Sequence, residues 1–258
     1  MQWIEWRCHF EQQAQRPLPV MGPPGSYATL PAAGPIARSL ATFQLGESGE
    51  GRIAHEIDGA VLPDIDADYR RALKLFVAEE GRHARLLAIA VQMLGGQLVH
   101  RNWTDALFVR GRRLLGVRLK IVVLLAAEIL GLTFYSLIAR ALPVGALRST
   151  LRQICSDELH HLRFHADFLR SQALGPLWRP GLKIALWVVC LLAAVVVVLD
   201  HLPTLRAVRV SPASVLRRMV RLTASAHRLA STQSLPCSGG SPGALRAMPS
   251  RRLSSRAA

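Results

Sequence analysis

Residues 79–85 read EEGRHAR, and residues 157–163 read DELHHLR. Both stretches contain a Glu-x-x-His pair, at positions 80–83 and 158–161, with an acidic residue before the Glu and an arginine two residues after the His. Residues i and i+3 lie on the same face of a helix, so each pair directs one carboxylate and one imidazole toward a common point. With nine glutamates and nine histidines in 258 residues, fewer than one such pair is expected by chance, whereas the chain has two.

A further glutamate precedes each pair by thirty residues, Glu50 in the first half and Glu128 in the second. The two halves therefore repeat with an offset of 78 residues. Glu47 is an alternative to Glu50, because both lie near the face of a predicted helix that carries Phe43; the matched spacing favours Glu50. Glu128 interrupts the apolar run 121–139, and a carboxylate there indicates a bundle interior that uses it, since a lipid-facing carboxylate costs about 2.5–3.5 kcal/mol.

The apolar periodicity predicts four helices, at about 35–58, 66–94, 117–142 and 146–174, joined by two short turns and one longer crossing. No run of alternating strand residues is present. The fold prediction is therefore all-α, a four-helix bundle with one more hydrophobic helix and a disordered tail. The predicted organisation is an irregular N-terminal arm at 1–34, the bundle at 35–176, a hydrophobic helix with its flanking segment at 177–221, and a disordered basic tail at 222–258.

Four carboxylates and two imidazoles are the ligand types that suit a pair of divalent iron or manganese ions, because four negative charges balance four positive ones. Without a metal, burying unpaired carboxylates would be costly. The candidate metal ligands are six side chains, Glu50, Glu80, His83, Glu128, Glu158 and His161. Cys8, Cys155, Cys190 and Cys237 contain no Cys-x-x-Cys pair, which excludes a zinc ribbon and a rubredoxin-type iron site.

This pattern resembles the ferritin-like di-iron carboxylate superfamily, over roughly residues 36–174. The resemblance implies a ferritin-like bundle that holds two Fe ions, with Mn or a mixed Fe/Mn pair as alternatives. It implies that Glu80 and Glu158 bridge the metals. It also implies that Glu79 and Asp157 accept hydrogen bonds from the outer nitrogens of the ligand imidazoles.

Three further residues are weaker candidates for the site. Glu47 competes with Glu50, His165 lies one turn beyond His161, and Tyr135 lies two turns beyond Glu128. Tyr135 is either a packed core residue or a radical or hydrogen-bonding residue beside the metals, and the core reading is favoured.

The resemblance implies an oxidoreductase that activates O2 and oxidises an unidentified small organic substrate by hydroxylation, desaturation or N-oxygenation. Its electrons would come from a separate donor, since the sequence has no flavin or nicotinamide fingerprint. One alternative is a ferroxidase or peroxide-detoxifying, iron-handling protein without an organic substrate. Another is a metal-free, membrane-associated helical scaffold.

The net charge of +15 is mostly a property of the C-terminal segment, because no acidic residue follows Asp200 whereas ten arginines do. Nucleic acid is therefore not expected as the partner. Residues 184–199 are sixteen consecutive apolar residues, which suit either a helix covering the bundle or one inserted in a membrane. We expect a cytoplasmic protein, with peripheral or integral contact at the inner face of a membrane as an alternative. Homo-oligomerisation is left open.

Overall fold

A computed structural model describes residues 3–49, 51–103, 116–172 and 178–231. These residues form helices and turns and no strand, which confirms the predicted all-α class. In chain order the helices are α1 (Trp3–Ala14), α2 (Ala33–Glu47), α3 (Gly51–Asp58), α4 (Ala67–Met93), α5 (Val117–Ala141), α6 (Ala146–Ser171), α7 (Trp178–Asp200), α8 (Leu202–Ala207) and α9 (Pro212–Ser231).

The bundle is built from two helix pairs, since α2 packs along α4 and α5 packs along α6. The short connection after Ala141 holds Pro143 and Gly145, and such a short connection makes α5 and α6 antiparallel neighbours. Helix α7 packs against α5, and α9 packs against α5, α6 and α7. A helical bundle with extra C-terminal helices is thus what the described residues form.

Local sequence sets the ends of the long helices. The Asp66 side chain caps α4 by accepting a hydrogen bond from the Tyr69 backbone N–H at 2.8 Å, a typical N-cap contact. The same helix stops before Gly95, which adopts a positive φ of 72° that favours glycine. Helix α5 begins directly after Gly116, as predicted.

The predicted helix over 35–58 is two helices in the structure, since α2 ends at Glu47 and α3 begins at Gly51. The prediction of one continuous helix was wrong. Gly46, Gly49 and Gly51 surround the break, and each glycine in a helix interior costs about 1 kcal/mol relative to alanine. The Ser48 hydroxyl also donates to the Leu45 carbonyl oxygen at 2.7 Å, a local bond that competes with helix continuation.

The N-terminal arm was predicted to be irregular, and for residues 3–14 that was wrong. These residues form α1, which packs against α4 and buries Trp6 and Phe10. The Trp6 indole N–H donates to the Asp167 carboxylate at 2.9 Å, so the helix is also tied to α6. Trp3, Trp6 and Phe10 recur at helical spacing, and this signal was available in the sequence.

The tail was predicted to be disordered from residue 222, and this was wrong for 222–231, which belong to α9. Val215, Met219, Ala226 and Ala230 are buried and lie at helical spacing, and they give α9 an apolar face that packs against its neighbours. The rest of the predicted tail, 232–258, lies outside the described residues, as do the predicted loop end and helix start at 104–115.

The apolar core has two parts. One contains Phe10, Phe76 and Phe164, and the other contains Leu40, Leu87 and Ile154. Along α4 the Glu-x-x-His pair lies between Phe76 and Leu87, so the polar cluster falls between the two apolar clusters. This position keeps the cluster away from water.

Candidate metal centre

Helices α4 and α6 each present a Glu-x-x-His pair to the bundle interior. Glu80, His83, Glu158 and His161 are at most 2% exposed. One ligand atom from each of these side chains lies within 4.8 Å of the others, so the group could hold a metal ion. The helical spacing was enough to predict that each pair shares a face, and the packing of the bundle brings the two faces together.

The inner contacts cross from one helix to the other. His161 Nδ1 lies 2.6 Å from Glu80 Oε1, and His83 Nδ1 lies 3.3 Å from Glu158 Oε1. Within each motif the distances are longer, 4.0 Å from His83 Nδ1 to Glu80 Oε2 and 3.5 Å from His161 Nδ1 to Glu158 Oε2. The two motifs therefore form one cluster rather than two separate sites.

Helix α5 adds Glu128 to this cluster. Its Oε2 lies 3.7 Å from His161 Nδ1, and the side chain is buried although it lies in an apolar helix. Burial, followed by the charge of Glu128, raises the pKa of Glu158, so the two carboxyl groups lie close enough to interact. The structure thus brings Glu128 to the two motifs, as the thirty-residue spacing predicted.

Helix α2 contributes Glu47 at its last residue. Tyr135 Oη donates to Glu47 Oε1 at 2.5 Å, and burial followed by the charge of Glu80 raises the pKa of the Glu47 carboxyl, so Glu47 lies beside Glu80. Glu50, which the repeat spacing favoured, lies outside the described residues. The residue that the structure places at the cluster from this part of the chain is Glu47, the weaker of the two candidates.

The outer nitrogens of the imidazoles are also held across the bundle. His161 Nε2 donates to Glu79 Oε2 at 3.1 Å, and His83 Nε2 donates to Asp157 Oδ2 at 3.5 Å. Each imidazole is therefore held by the acidic residue of the opposite motif. Such carboxylates orient the ring and fix the proton on the outer nitrogen, which leaves Nδ1 to face the cluster. The resemblance implied such contacts for Glu79 and Asp157, and each acid lies at the outer nitrogen of the imidazole on the opposite helix.

A second set of potential ligand atoms, from Glu79, His83 and Asp157, also lies within 4.8 Å of one another. It is on the outer side of the His83 ring. Arg16 Nη1 donates to Asp157 Oδ1 at 3.0 Å, so a cation already neutralises part of that group. The inner group is the better candidate for a metal because its carboxylates lack such a partner.

The N-terminal segment covers one side of the cluster, which sequence reasoning missed. The Phe10 ring lies 5.9 Å from the His161 ring, centroid to centroid. Arg82, next to His83, donates to the carbonyl oxygens of Gln13, Arg16 and Pro17 and ties down the chain after α1. The helical spacing of the aromatic residues in α1 could have predicted that this helix packs over the cluster. The residues next to Arg82, in contrast, give no indication that its side chain bonds to those carbonyl oxygens.

The two weaker histidine and tyrosine candidates also lie beside the cluster. His165 is fully buried, and its Nε2 lies 3.3 Å from Glu128 Oε1. Burial, followed by the charge of His161, lowers the pKa of His165 to about 3, so its ring is neutral. Tyr135 packs in the core and also donates a hydrogen bond to Glu47. It is therefore both a core residue and a hydrogen-bonding residue beside the cluster, which the sequence analysis gave as alternatives.

Electrostatics in the cluster favour cations. Burial raises the pKa of Glu80 and of Glu158 above the usual range of a carboxyl group, and burial followed by the charge of Glu80 does so for Glu47. Burial disfavours a charged imidazole, but the hydrogen bond to Asp157 raises the pKa of His83 well above its ordinary value. The charge of Glu80 does the same for His161. The surplus of carboxylates therefore retains protons that a metal would replace.

The inward atoms of the cluster fit a metal. Glu80 Oε1, His83 Nδ1, Glu158 Oε1 and His161 Nδ1 are buried, and apart from the crossed carboxylate–imidazole contacts at 2.6 and 3.3 Å, which lack hydrogen-bond geometry, they have no hydrogen-bond partner among the described residues. Buried polar atoms normally find a partner, and leaving one unsatisfied costs roughly 1–3 kcal/mol. Four such atoms at one point, all of types that coordinate divalent ions, indicate a metal-binding arrangement.

Neither the comparison with models of protein families nor that with curated proteins returned a match for this chain.

Proposed function

We propose that the cluster binds two iron ions and that the protein is an oxidoreductase, which activates dioxygen to oxidise an organic substrate. The observation that carries the proposal is the crossed arrangement of Glu80–His161 and Glu158–His83, whose inward atoms are buried and lack hydrogen-bond partners. A mixed carboxylate and imidazole set suits iron and manganese better than zinc or an iron–sulfur cluster. Iron is preferred because the motif pattern resembles the di-iron carboxylate proteins.

In this proposal the iron ligands come from four helices. Glu80 and His83 of α4, Glu158 and His161 of α6, Glu128 of α5 and Glu47 of α2 would hold the metals. When bound, a reduced iron pair supplies the electrons that convert dioxygen into an oxidant for the substrate. A separate protein would return electrons to the site.

The chain's own residues keep the site ordered and dry. Glu79 and Asp157 hold the outer nitrogens of His161 and His83, so both rings stay oriented toward the centre. Phe76 packs its edge against His161, with a centroid distance of 4.8 Å, and so excludes water on that side. Tyr135 Oη keeps its proton on the hydrogen bond to Glu47, because burial and the charge of Glu47 raise the pKa of the phenol.

Metal analysis tests the site directly. The protein purified under reducing conditions should contain two irons per chain by elemental analysis, and Glu80→Ala or Glu158→Ala should lose both together. Glu5→Ala is the matched control, since Glu5 is an exposed acid on α1. A wild-type protein that binds neither iron nor manganese would contradict the proposal and support the metal-free scaffold.

The remaining alternative is an iron-handling protein without an organic substrate. The buried cluster supports both activities, so oxygen consumption separates them. An oxygenase consumes O2 with electrons from a reductant when a suitable organic compound is present. A ferroxidase consumes O2 in proportion to added Fe(II) and ignores organic compounds.

We also propose that helix α7 lies against a membrane. Two described helices are long and apolar enough to cross a bilayer, but 83% of the apolar window of α5 is buried in the protein, against 39% for the one in α7. The residues left exposed on α7 are large, between 48% and 65% exposed, and they recur at helical spacing: Ile184, Val188, Leu191, Leu192, Val195 and Leu199. The net charge of +15 would favour the approach of the protein to an anionic membrane surface.

Flotation with vesicles tests this contact. The triple substitution Leu191→Gln, Leu192→Gln, Val195→Gln should abolish co-flotation with anionic vesicles and leave the helical content unchanged. The triple substitution Val20→Gln, Val61→Gln, Val144→Gln, at exposed apolar residues outside α7, serves as the matched control. Concentration-dependent dimerisation that the triple substitution removes, without vesicle binding, would assign the face to a second copy instead.

A further inference from the structure

Outside the Glu/His cluster, five arginines surround one cavity of about 650 Å³. They come from the end of α5, the α8–α9 connection and the first turns of α9: Arg140, Arg209, Arg217, Arg218 and Arg221. We refer to this cavity as the arginine pocket. Its lining contains no acidic residue, and none of the five arginines forms an ion pair with any acid in the part of the chain that the structure describes.

Like charges held this close repel one another unless an anion lies between them. The effect is visible at Arg218, which is partly buried and whose Nε is buried without a hydrogen-bond partner. Burial, followed by the charge of Arg140, lowers the pKa of Arg218. Positive charge is therefore concentrated at the pocket, and no acidic residue of its lining balances it.

The helix end beside the arginines also favours an anion. Ser211 and Ser214 line the cavity, and their hydroxyls bond to each other and to the Ser211 carbonyl oxygen in the cap of α9, where Ser211 Oγ also accepts from the Ser214 backbone N–H at 3.3 Å. The N-terminus of α9 therefore opens at the pocket, and helix N-termini attract negative charge. Guanidinium groups bind phosphate oxygens through pairs of parallel hydrogen bonds. A single carboxylate carries too little charge for five guanidinium groups.

We propose that the arginine pocket binds a phosphate group, either free or as the headgroup of an anionic lipid. The apolar part of the lining, Leu137, Val208 and Val210, leaves room for an organic portion beside the phosphate. This site is independent of the metal cluster. Its failure would leave the proposed oxidoreductase function untouched.

Titration with inorganic phosphate and binding to vesicles test the proposal on the full-length protein. The double variant Arg217→Gln, Arg221→Gln is suited to the test because both side chains are exposed, so the fold should not depend on them. Arg85→Gln, Arg206→Gln is the matched control, since it removes the same charge from exposed positions that do not line the pocket. Melting curves check that both variants fold.

Calorimetric titration with inorganic phosphate measures the free ligand. Co-flotation with phosphatidylcholine vesicles, with and without phosphatidic acid, measures the headgroup. The pocket variant should bind roughly ten-fold or more weakly than wild type in at least one arm, because charged hydrogen bonds are lost, whereas the control should keep wild-type affinity. Saturation by inorganic phosphate identifies a free ligand, and dependence on phosphatidic acid alone identifies a lipid.

Equal losses in the pocket and control variants would show that only net charge matters and would overturn the proposal. So would a wild-type protein that binds neither probe. The charge-preserving variant Arg217→Lys, Arg221→Lys adds a further check. It keeps the charge but loses the paired donors, so it should bind phosphate more weakly than wild type and more tightly than the glutamine variant.

Discussion

Each imidazole of the cluster depends on acids from the opposite helix, one at each ring nitrogen. His161 contacts Glu80 with Nδ1 and Glu79 with Nε2, and both of these acids belong to α4. His83 has the reciprocal arrangement with Glu158 and Asp157 of α6. Any substitution here therefore acts on two helices at once.

Removing the carboxylate that holds the outer nitrogen of an imidazole should weaken metal binding, although no metal ligand is lost. We expect Glu79→Gln or Asp157→Asn to weaken metal binding by roughly 10–100-fold, because the imidazole loses the partner that orients it. Titration against a competing chelator measures the affinity. The exposed Glu5→Gln should match wild type; an unchanged affinity in both outer variants would contradict the role assigned to these acids.

The two glutamates at the end of α2 can be told apart in the same assay. Glu47 lies beside Glu80 and accepts a hydrogen bond from Tyr135, so we expect Glu47→Gln to lose at least part of the bound metal. Glu50→Gln, tested in the same assay, decides which glutamate is the metal ligand: Glu47, which the structure places at the cluster, or Glu50, which the thirty-residue spacing favours. Loss of metal only in Glu50→Gln would show that the repeat identifies the ligand.

A buried histidine away from the metal cluster predicts a pH dependence of stability. His201 bonds to Ser39 at 2.7 Å through Nδ1 and stacks on Phe43, and burial lowers its pKa from 6.5 to about 4. Above pH 6.5 the ring is neutral in both the folded and unfolded chain, so its contribution is complete. As the pH falls toward 4, only the unfolded chain takes up the proton, and the free energy of unfolding drops by up to roughly 3 kcal/mol.

Chemical denaturation at several pH values between 7 and 4 measures this slope. His201→Gln should flatten it by about the amount due to one histidine, whereas His55→Gln, at an exposed position, should leave it unchanged. An equal slope in wild type and His201→Gln would contradict the assignment.

At the scale of the elements, α1 closes the cluster on one side. Its Phe10 is 1% exposed and packs against the rings of Phe164 and His161. Arg82 fixes the segment that follows it by three backbone contacts. The helix thus belongs to the bundle core, although it precedes the repeated part of the sequence.

Truncating the cover should both destabilise the fold and admit water. We expect Phe10→Ala to lower the free energy of unfolding by about 3–5 kcal/mol, the usual cost of removing a buried phenyl ring. Denaturant titration measures the loss. Ile4→Ala on the same helix removes a side chain that is 44% exposed and should cost far less; equal losses would show that α1 contributes only helicity.

At the scale of the whole molecule, the cluster joins α2, α4, α5 and α6 at one point. A ligand that binds only the folded protein stabilises it, by about 4 kcal/mol at a thousand times its dissociation constant. The melting temperature of the metal-loaded protein should therefore fall by roughly 10 °C on chelation. Differential scanning calorimetry measures the shift, and Glu158→Ala should be insensitive to the chelator. A wild-type melting temperature that chelator leaves unchanged would contradict metal binding at this junction.

The sequence by itself determined the all-α class, the approximate bounds of α4, α5 and α6, and the pairing of Glu with His on a helix face. These properties follow from spacing along one helix and from residues such as Asp66 and Gly95, which act on their immediate neighbours. The apolar surroundings of Glu128 were likewise enough to predict its burial, because a lone carboxylate in such a run needs partners.

Only the tertiary structure decided which atoms meet. Nothing in the sequence indicates that Glu79 pairs with His161 rather than with His83 of its own helix, because this depends on how α4 and α6 pack. The same holds for Glu47 at the cluster, for Phe10 over it, and for the arginine pocket, whose walls come from two stretches far apart in sequence. Short-range geometry is encoded within a few residues, whereas these contacts depend on the packing free energy of the whole bundle.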